Sequence, residues 1–283
     1  MNTDRLAAEP TDTTLPTDYS LGHSDAELRR LTWQAEVLRP YAERLLRMAG
    51  IGPGMRVLDV GCGTGDVAML AARLVGPSGS VTGIDRSERP LATAARRAGS
   101  ARLPWVQFHH ATLEEFDGPA PFDAVIGRYV VIHQADPASF LRAAGRHLAA
   151  GGVLAFHEMN VARPAVICPE VPLWQQADSW ARRALSSVSP SLDAGSRLIE
   201  LFSAAGLPEP ELHCEVPAGG GKDSYLYKYM ADTMRSLLPV LGGLGVPAEV
   251  VGIDTLEDRL RAAVTAAKAQ IEWYPQFLAV ARN

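Results

Sequence analysis

The sequence predicts an α/β fold: a doubly wound, mostly parallel sheet of seven strands with helices on both faces. Three observations carry this reading. Val57, Leu58 and Val60 form a short apolar run, interrupted by Asp59, of the kind buried on both faces of a parallel sheet. Gly61, Gly63 and Gly65 follow at alternate positions, where the backbone takes positive φ or lets a ligand come close with no Cβ in the way. Strand-like runs and helical patterns then alternate along the chain, which is the rhythm of parallel βα units.

Composition narrows the function classes. With 283 residues, 47% apolar and 21% charged, the chain can bury a full core and reads as a soluble globular protein. A net charge of −5 with scattered Lys and Arg leaves no footprint for a phosphate backbone, so nucleic acid is not expected as a partner. Cys62, Cys168 and Cys214 are odd in number, widely spaced and outside any CxxC or HxxxH pattern. Neither a disulfide framework nor a zinc site is indicated, and a reducing cytoplasm is expected. The N-terminus lacks an apolar targeting segment, and no run approaches the roughly 18 apolar residues of a membrane span.

Taken in order, residues 1–18 are rich in Thr, Asp and Pro and read as a flexible tail, with 19–283 as a single domain. Within it, 19–50 are N-terminal helices, 51–159 the ligand-binding core and 160–283 a lid with the last strands. Ser24 and Glu27 make a capping box for a helix from about Asp25, which Pro40 is expected to end. A second helix, 41–49, stops at Gly50, suited to a left-handed C-cap. After the glycine turn, Val67, Leu70, Ala71 and Leu74 stripe a helix. Residues 80–85 are the second strand, ending in Asp85. A helix with Pro90 in its first turn precedes a third strand at 105–109, and 122–127 is the fourth. Asp136 and Pro137 are an N-cap and N1 pair, and Gly151-Gly152 separates that helix from a fifth strand ending in HEM. Beyond Asn160, helices are expected at 173–188, 196–205, 225–241 and 254–270, the last with a capping box at Asp254 and Glu257. Residues 213–216 are a sixth strand, 219–222 a flexible joint and 275–282 a last strand at or near the sheet edge.

A glycine turn after the first strand, with an acid closing the second, is the recipe for a nucleotide at the carboxyl edge of the sheet. Here the spacing is GxGxG, not the GxGxxG of dinucleotide sites, and Asp59 and Asp66 flank the turn. Two carboxylates would repel a pyrophosphate but suit a ligand carrying an ammonium and a sulfonium, such as S-adenosylmethionine. Asp85 would then accept from the ribose hydroxyls.

The stretches VLDVGCGTGD, GID, FDAVIGRYVVIHQADP and LAAGGVLAF, within residues 55–159, resemble the class I SAM-dependent methyltransferase family. YSLGHSDAELRRL, 19–31, resembles the lead-in helix of its small-molecule members. The resemblance implies a Rossmann-like fold in which the N-terminal helices and a helical lid insertion close over the cofactor. It implies methyl transfer from S-adenosylmethionine to an O, N or C nucleophile of a small organic metabolite. Asp59, Gly61, Gly63 and Gly65 would hold the methionine side, Asp85 the ribose, and Arg86 would lie beside the adenosine. Where the family has Gly-Asp and an apolar residue for adenine, this chain has Ala111, Thr112 and Leu113. Arg128 either meets the cofactor carboxylate or pairs with a surface acid. His133, Tyr129, His157 and Glu158, after the fourth and fifth strands, are candidates for catalysis, with His133 matching a position where the family often has histidine. Trp33, Trp174, Trp180, Tyr225, Tyr227 and Tyr229 are candidates for lining a flat apolar pocket, with core positions expected for about two thirds of them. The alternatives are a fold relative using the cofactor for another reaction, such as a cyclisation, and a non-enzymatic cofactor-binding protein. An NAD dehydrogenase is opposed by the glycine spacing and by Asp59.

Overall fold

The computed structural model describes residues 25–118 and 121–283. The tail at 1–18 and the Ser24 cap lie outside the described residues. Helix α1 spans Asp25–Ala49 and runs straight through Pro40, where the sequence predicted a break into two helices. Proline removes one N–H and crowds the preceding turn. The helix continues because Leu38, Ala42, Leu45 and Leu46 keep a single buried face across the proline. Gly50 closes it at φ +73°, as its position suggested.

The core then follows as β1 (Arg56–Val60), α2 (Asp66–Val75), β2 (Ser80–Asp85), α3 (Glu88–Ser100), β3 (Val106–His110), β4 (Phe122–Arg128), α4 (Pro137–Arg146) and β5 (Leu148–Met159). The Asp136 side chain accepts from Ser139 N at 3.0 Å, so the predicted N-cap is formed. Two expectations fail here. No helix forms among the described residues between β3 and β4, so the expected alternation of strands and helices is interrupted once. Strand β5 starts at Leu148, ahead of the two glycines, because Gly151 at φ +75° allows a bulge opposite 122–124.

Downstream lie β6 (Val166–Cys168), α5 (Pro172–Ser186), α6 (Leu198–Ala204), β7 (Glu211–Glu215), β8 (Ala218–Gly219), α7 (Leu226–Gly243), α8 (Ala248–Val251), α9 (Ile253–Ala266), β9 (Gln270–Glu272) and β10 (Gln276–Arg282). The expected helix at 196–205 is a 3-10 turn followed by the shorter α6. The expected joint at 219–222 begins inside β8, where Gly219 pairs with Ile271. The capping box at Asp254 is replaced by a left-handed Gly252, which gives the chain its turn from α8 into α9.

The main sheet has the order β3-β2-β1-β4-β5-β10-β7. Strands β1 to β5 pair in parallel, and β10 enters antiparallel between β5 and β7. The last strand is therefore one place in from the edge. The period-2 alternation of β1 sends Val57 into a core under α1 and α2, and Leu58 and Val60 into a core under α4 and α6. A third core, with Trp174, Tyr227, Met230, Leu260 and Ile271, binds α5, α7 and α9 to the small sheet β6-β9-β8. The strand order reverses direction between β1 and β4, and such a switch point leaves a crevice at the carboxyl ends of those strands.

Candidate functional site

That crevice is a cavity of about 470 Å³, floored by the carboxyl ends of β1, β2 and β4 and roofed by α1 and α7. The glycine turn forms one wall. Gly61, Gly63 and Gly65 all take positive φ, at 64°, 52° and 78°. Their reasons differ. A Cβ on Gly61 would collide with the Val130 side chain, and one on Gly65 would sit 2.8 Å from Phe108 Cζ and 3.0 Å from Ala94 Cβ. Gly65, expected as a ligand contact, is not among the residues lining the cavity, and it allows the close approach of α2 to α3 and β3. Gly61→Ala combines left-handed strain with overpacking and is expected to cost about 2–4 kcal/mol in urea unfolding.

Asp85 ends β2 facing the turn, with Oδ2 accepting from Gly63 N and Oδ1 from Ser87 N, each at 2.9 Å. The turn and the acid thus brace one another. Asp59 is fully buried, and its carboxyl is raised to about 7, chiefly by burial, with Arg128 pulling the other way. Asp59 Oδ2 and Arg128 Nη1 are buried and have no hydrogen-bond partner among the described residues. Both residues line the cavity. Asp66 holds Arg97 at 2.6 Å and approaches Arg128 at 3.9 Å. A negative and a positive group, each short of a partner, therefore face one space beside the turn.

Arg86, Thr112, Leu113, Tyr129 and His133 also line the cavity. The Thr112 hydroxyl donates to Glu115 Oε2 at 2.9 Å, so its proton is spent locally. Glu114, one residue beyond Leu113, lines the cavity and was not singled out from the sequence. His133 Nδ1 lies 3.0 Å from Ser189 Oγ. Burial, assisted by Arg86, lowers His133 to about 4, so it is neutral at pH 7.

Two expected catalytic residues do not reach the cavity. Glu158 is fully buried and accepts Val130 N and Val131 N at 2.8 Å and Ile132 N at 3.3 Å, so its carboxylate caps the turn after β4. His157 is buried between Tyr129 and Tyr41, with Nε2 on Gln276 Oε1 at 2.9 Å. Both serve Tyr129, whose left-handed φ of 56° is held by its own N–H to His157 O and by the grip of Glu158 on the next three amides.

Sequence reasoning missed most of the roof. Gln34, Met159, Thr233, Trp273 and Tyr274 line the cavity, and of the six aromatics considered only Tyr229 does. Trp174 and Tyr227 are fully buried in the core of the lid. The aromatic dipeptide Trp273-Tyr274 just before the last strand was the available signal.

A family profile described as a methyltransferase domain matches residues 51–203. The ubiquinone biosynthesis O-methyltransferase of Caulobacter sp. (strain K31) is 39% identical over 109 residues, which are 38% of this chain and 42% of that protein. The chain thus spans under half the length of that relative. The 2-phytyl-1,4-naphtoquinone methyltransferase of Synechococcus elongatus is 32% identical over 202 residues, covering 64% of this chain and 82% of the relative. A crystal structure of a Bacillus halodurans protein shares the fold, with a TM-score of 0.58 at 20% identity over 85% of this chain and 97% of that one.

Proposed function

The chain belongs to the class I SAM-dependent methyltransferase family, and from that premise we propose that it transfers a methyl group from S-adenosylmethionine to an O, N or C nucleophile of a small organic molecule. The observation that supports this most is the pair of buried atoms without a hydrogen-bond partner, Asp59 Oδ2 and Arg128 Nη1, in residues that line one cavity. An amino-acid end with an ammonium and a carboxylate complements them, whereas a pyrophosphate would meet Asp59, Asp66 and Asp85. The residues present fit the cofactor.

In this reading Asp59 takes the ammonium, Arg128 the carboxylate, Asp85 the ribose, and Arg86 and Leu113 flank the adenosine. Gly61 and Gly63 keep the wall thin. Glu114 and Thr112 stand where the adenine amino group is expected. When bound, the cofactor supplies an electrophilic methyl group on a sulfonium. The chain positions the nucleophile in line and keeps water out, and such orientation is worth on the order of 7–11 kcal/mol in well-aligned systems. His133 lines the cavity and is the imidazole placed to receive a proton from a substrate that arrives protonated, with burial weakening it as a base. Residues 51–159 hold the donor, and 160–283 select the acceptor. The names of the two relatives, one a methyltransferase of ubiquinone biosynthesis and the other a 2-phytyl-1,4-naphtoquinone methyltransferase, make a ring-bearing acceptor the first class to test. The three free cysteines and the lack of any helix long and apolar enough to cross a membrane among the described residues are compatible with a reducing cytoplasm.

Incubation with methyl-labelled S-adenosylmethionine and a panel of phenols and hydroquinones is expected to move label into product. Product formed without label would overturn the reading. Asp85→Ala is expected to weaken cofactor binding by more than about 1 kcal/mol in calorimetry, through lost charge-assisted hydrogen bonds.

A further inference from the structure

The roof of the cavity carries two glutamine–tyrosine hydrogen bonds whose directions are set by the outer partners of the glutamines. Arg30 Nη1 contacts Gln34 Oε1 at 3.2 Å. Arginine only donates, so the Gln34 amide must offer it oxygen and turn Nε2 toward Tyr229, to whose hydroxyl it donates. At the far end Gln276 Nε2 donates to the Tyr274 carbonyl at 2.8 Å. A backbone carbonyl only accepts, so Gln276 Oε1 must face the other way. It accepts there from the Tyr129 hydroxyl and from His157 Nε2. Neither amide can be flipped without setting donor against donor or acceptor against acceptor.

Tyr129 and Tyr229 both line the cavity. Tyr129 has already given its one proton to Gln276, so its oxygen has only lone pairs left to offer, while the Tyr229 oxygen accepts from Gln34. Burial raises both phenols above their ordinary 10, so neither ionises near neutral pH. The Tyr129 proton is thus committed inside the protein. The surrounding surface is aromatic: Tyr229 meets Trp273 edge-on at 5.5 Å, and Trp273 meets Tyr274 at 4.6 Å.

We propose that this end of the cavity recognises a neutral, flat molecule that brings its own O–H or N–H proton, and discriminates against the ionised form of that molecule. The Tyr129 oxygen presents lone pairs, which attract a donor and repel an anion. Gln276 is the positioning residue that holds this hydroxyl in that sense. The inference rests on the methyl-transfer reading only in assigning this end of the cavity to the acceptor. Arg30, the cation lining the same roof, is the competing influence.

The test is calorimetry on protein saturated with S-adenosylhomocysteine, using 4-nitrophenol on either side of its own ionisation and 4-nitroanisole, which has the same ring and no proton to give. The ether, measured at both pH values, removes effects of the protein's own titration. The neutral phenol is expected to bind about tenfold tighter than either the phenolate or the ether. Tyr129→Phe, which keeps the ring and deletes only the oxygen, is expected to bring phenol and ether within about twofold. A phenolate that binds as tightly as the phenol, or a phenol that does not bind, overturns the proposal. If S-adenosylhomocysteine fails to bind, the methyl-transfer reading falls instead; the probes are then titrated on the protein alone, and the same order is required.

Discussion

Replacing Glu158 by alanine is expected to lower stability by about 3–5 kcal/mol, since each buried N–H left without an acceptor costs about 1–3 kcal/mol. Three amides, of Val130, Val131 and Ile132, depend on that one carboxylate. Glu158→Gln keeps one accepting oxygen and should lose less than half as much. Urea unfolding at pH 7 measures both, and a loss below about 1 kcal/mol for the alanine variant would mean that the turn after β4 holds itself. The pH dependence follows from burial. Glu158 rises from its ordinary 4.5 to about 7, so the folded protein keeps a proton that the unfolded chain releases. Its contribution is complete below 4.5 and is lost as pH rises through 7. Buried His157 and His133 fall from 6.5 to about 3 and about 4, so the unfolded chain takes up protons first and stability drops as pH falls below 6.5. The two effects oppose one another between 4.5 and 6.5. Removing the first in Glu158→Gln should make stability climb more steeply with pH across that window.

Affinity for S-adenosylmethionine is expected to weaken about tenfold for each pH unit below 7, and to level off above it. Asp59 carries this prediction. Burial outweighs the attraction of Arg128 and raises its carboxyl to about 7, so on the acid side it is protonated and cannot pair with an ammonium. Binding must then expel a proton, which calorimetry in buffers of different ionisation enthalpy reads directly. Asp59→Asn is expected to weaken binding by more than tenfold at pH 8, about 1.4 kcal/mol, and to abolish the pH dependence. A flat affinity between pH 6 and 8 in the parent protein would remove Asp59 from the ammonium site.

These two acids show what was legible in the sequence. The position of Asp59 was readable because it depends on neighbours in the chain: the strand, the glycines and the turn are all within a few residues. The same holds for Asp85, for the Asp136 cap and for Gly50. Glu158 was expected at the ligand, and the structure turns its carboxyl to the amides of the turn after β4 instead, because strand periodicity gives the face of a side chain and not the group it meets there. Its partners, Val130 to Ile132, belong to another strand's loop. Gln34 and Gln276 were out of reach for a plainer reason. Their contacts join α1, α7 and β10 across the length of the chain, and nothing local to a glutamine distinguishes one that orients a tyrosine from one that faces water. Pro40 misled because local propensity argued for a stop, while a continuous apolar face, settled only by packing, carried the helix onward.

That same helix has a mechanical consequence. Ahead of Pro40 it touches the cavity through Leu31, Gln34 and Leu38; behind it, Ala42, Leu45, Leu46 and Ala49 are sunk in the core. The proline deletes the rung that the carbonyl four residues earlier would have used, so this is where the helix is cheapest to part. The front half, which lines the cavity, is therefore tied to the rear half, which is sunk in the core, by one backbone hydrogen bond fewer than an unbroken helix has.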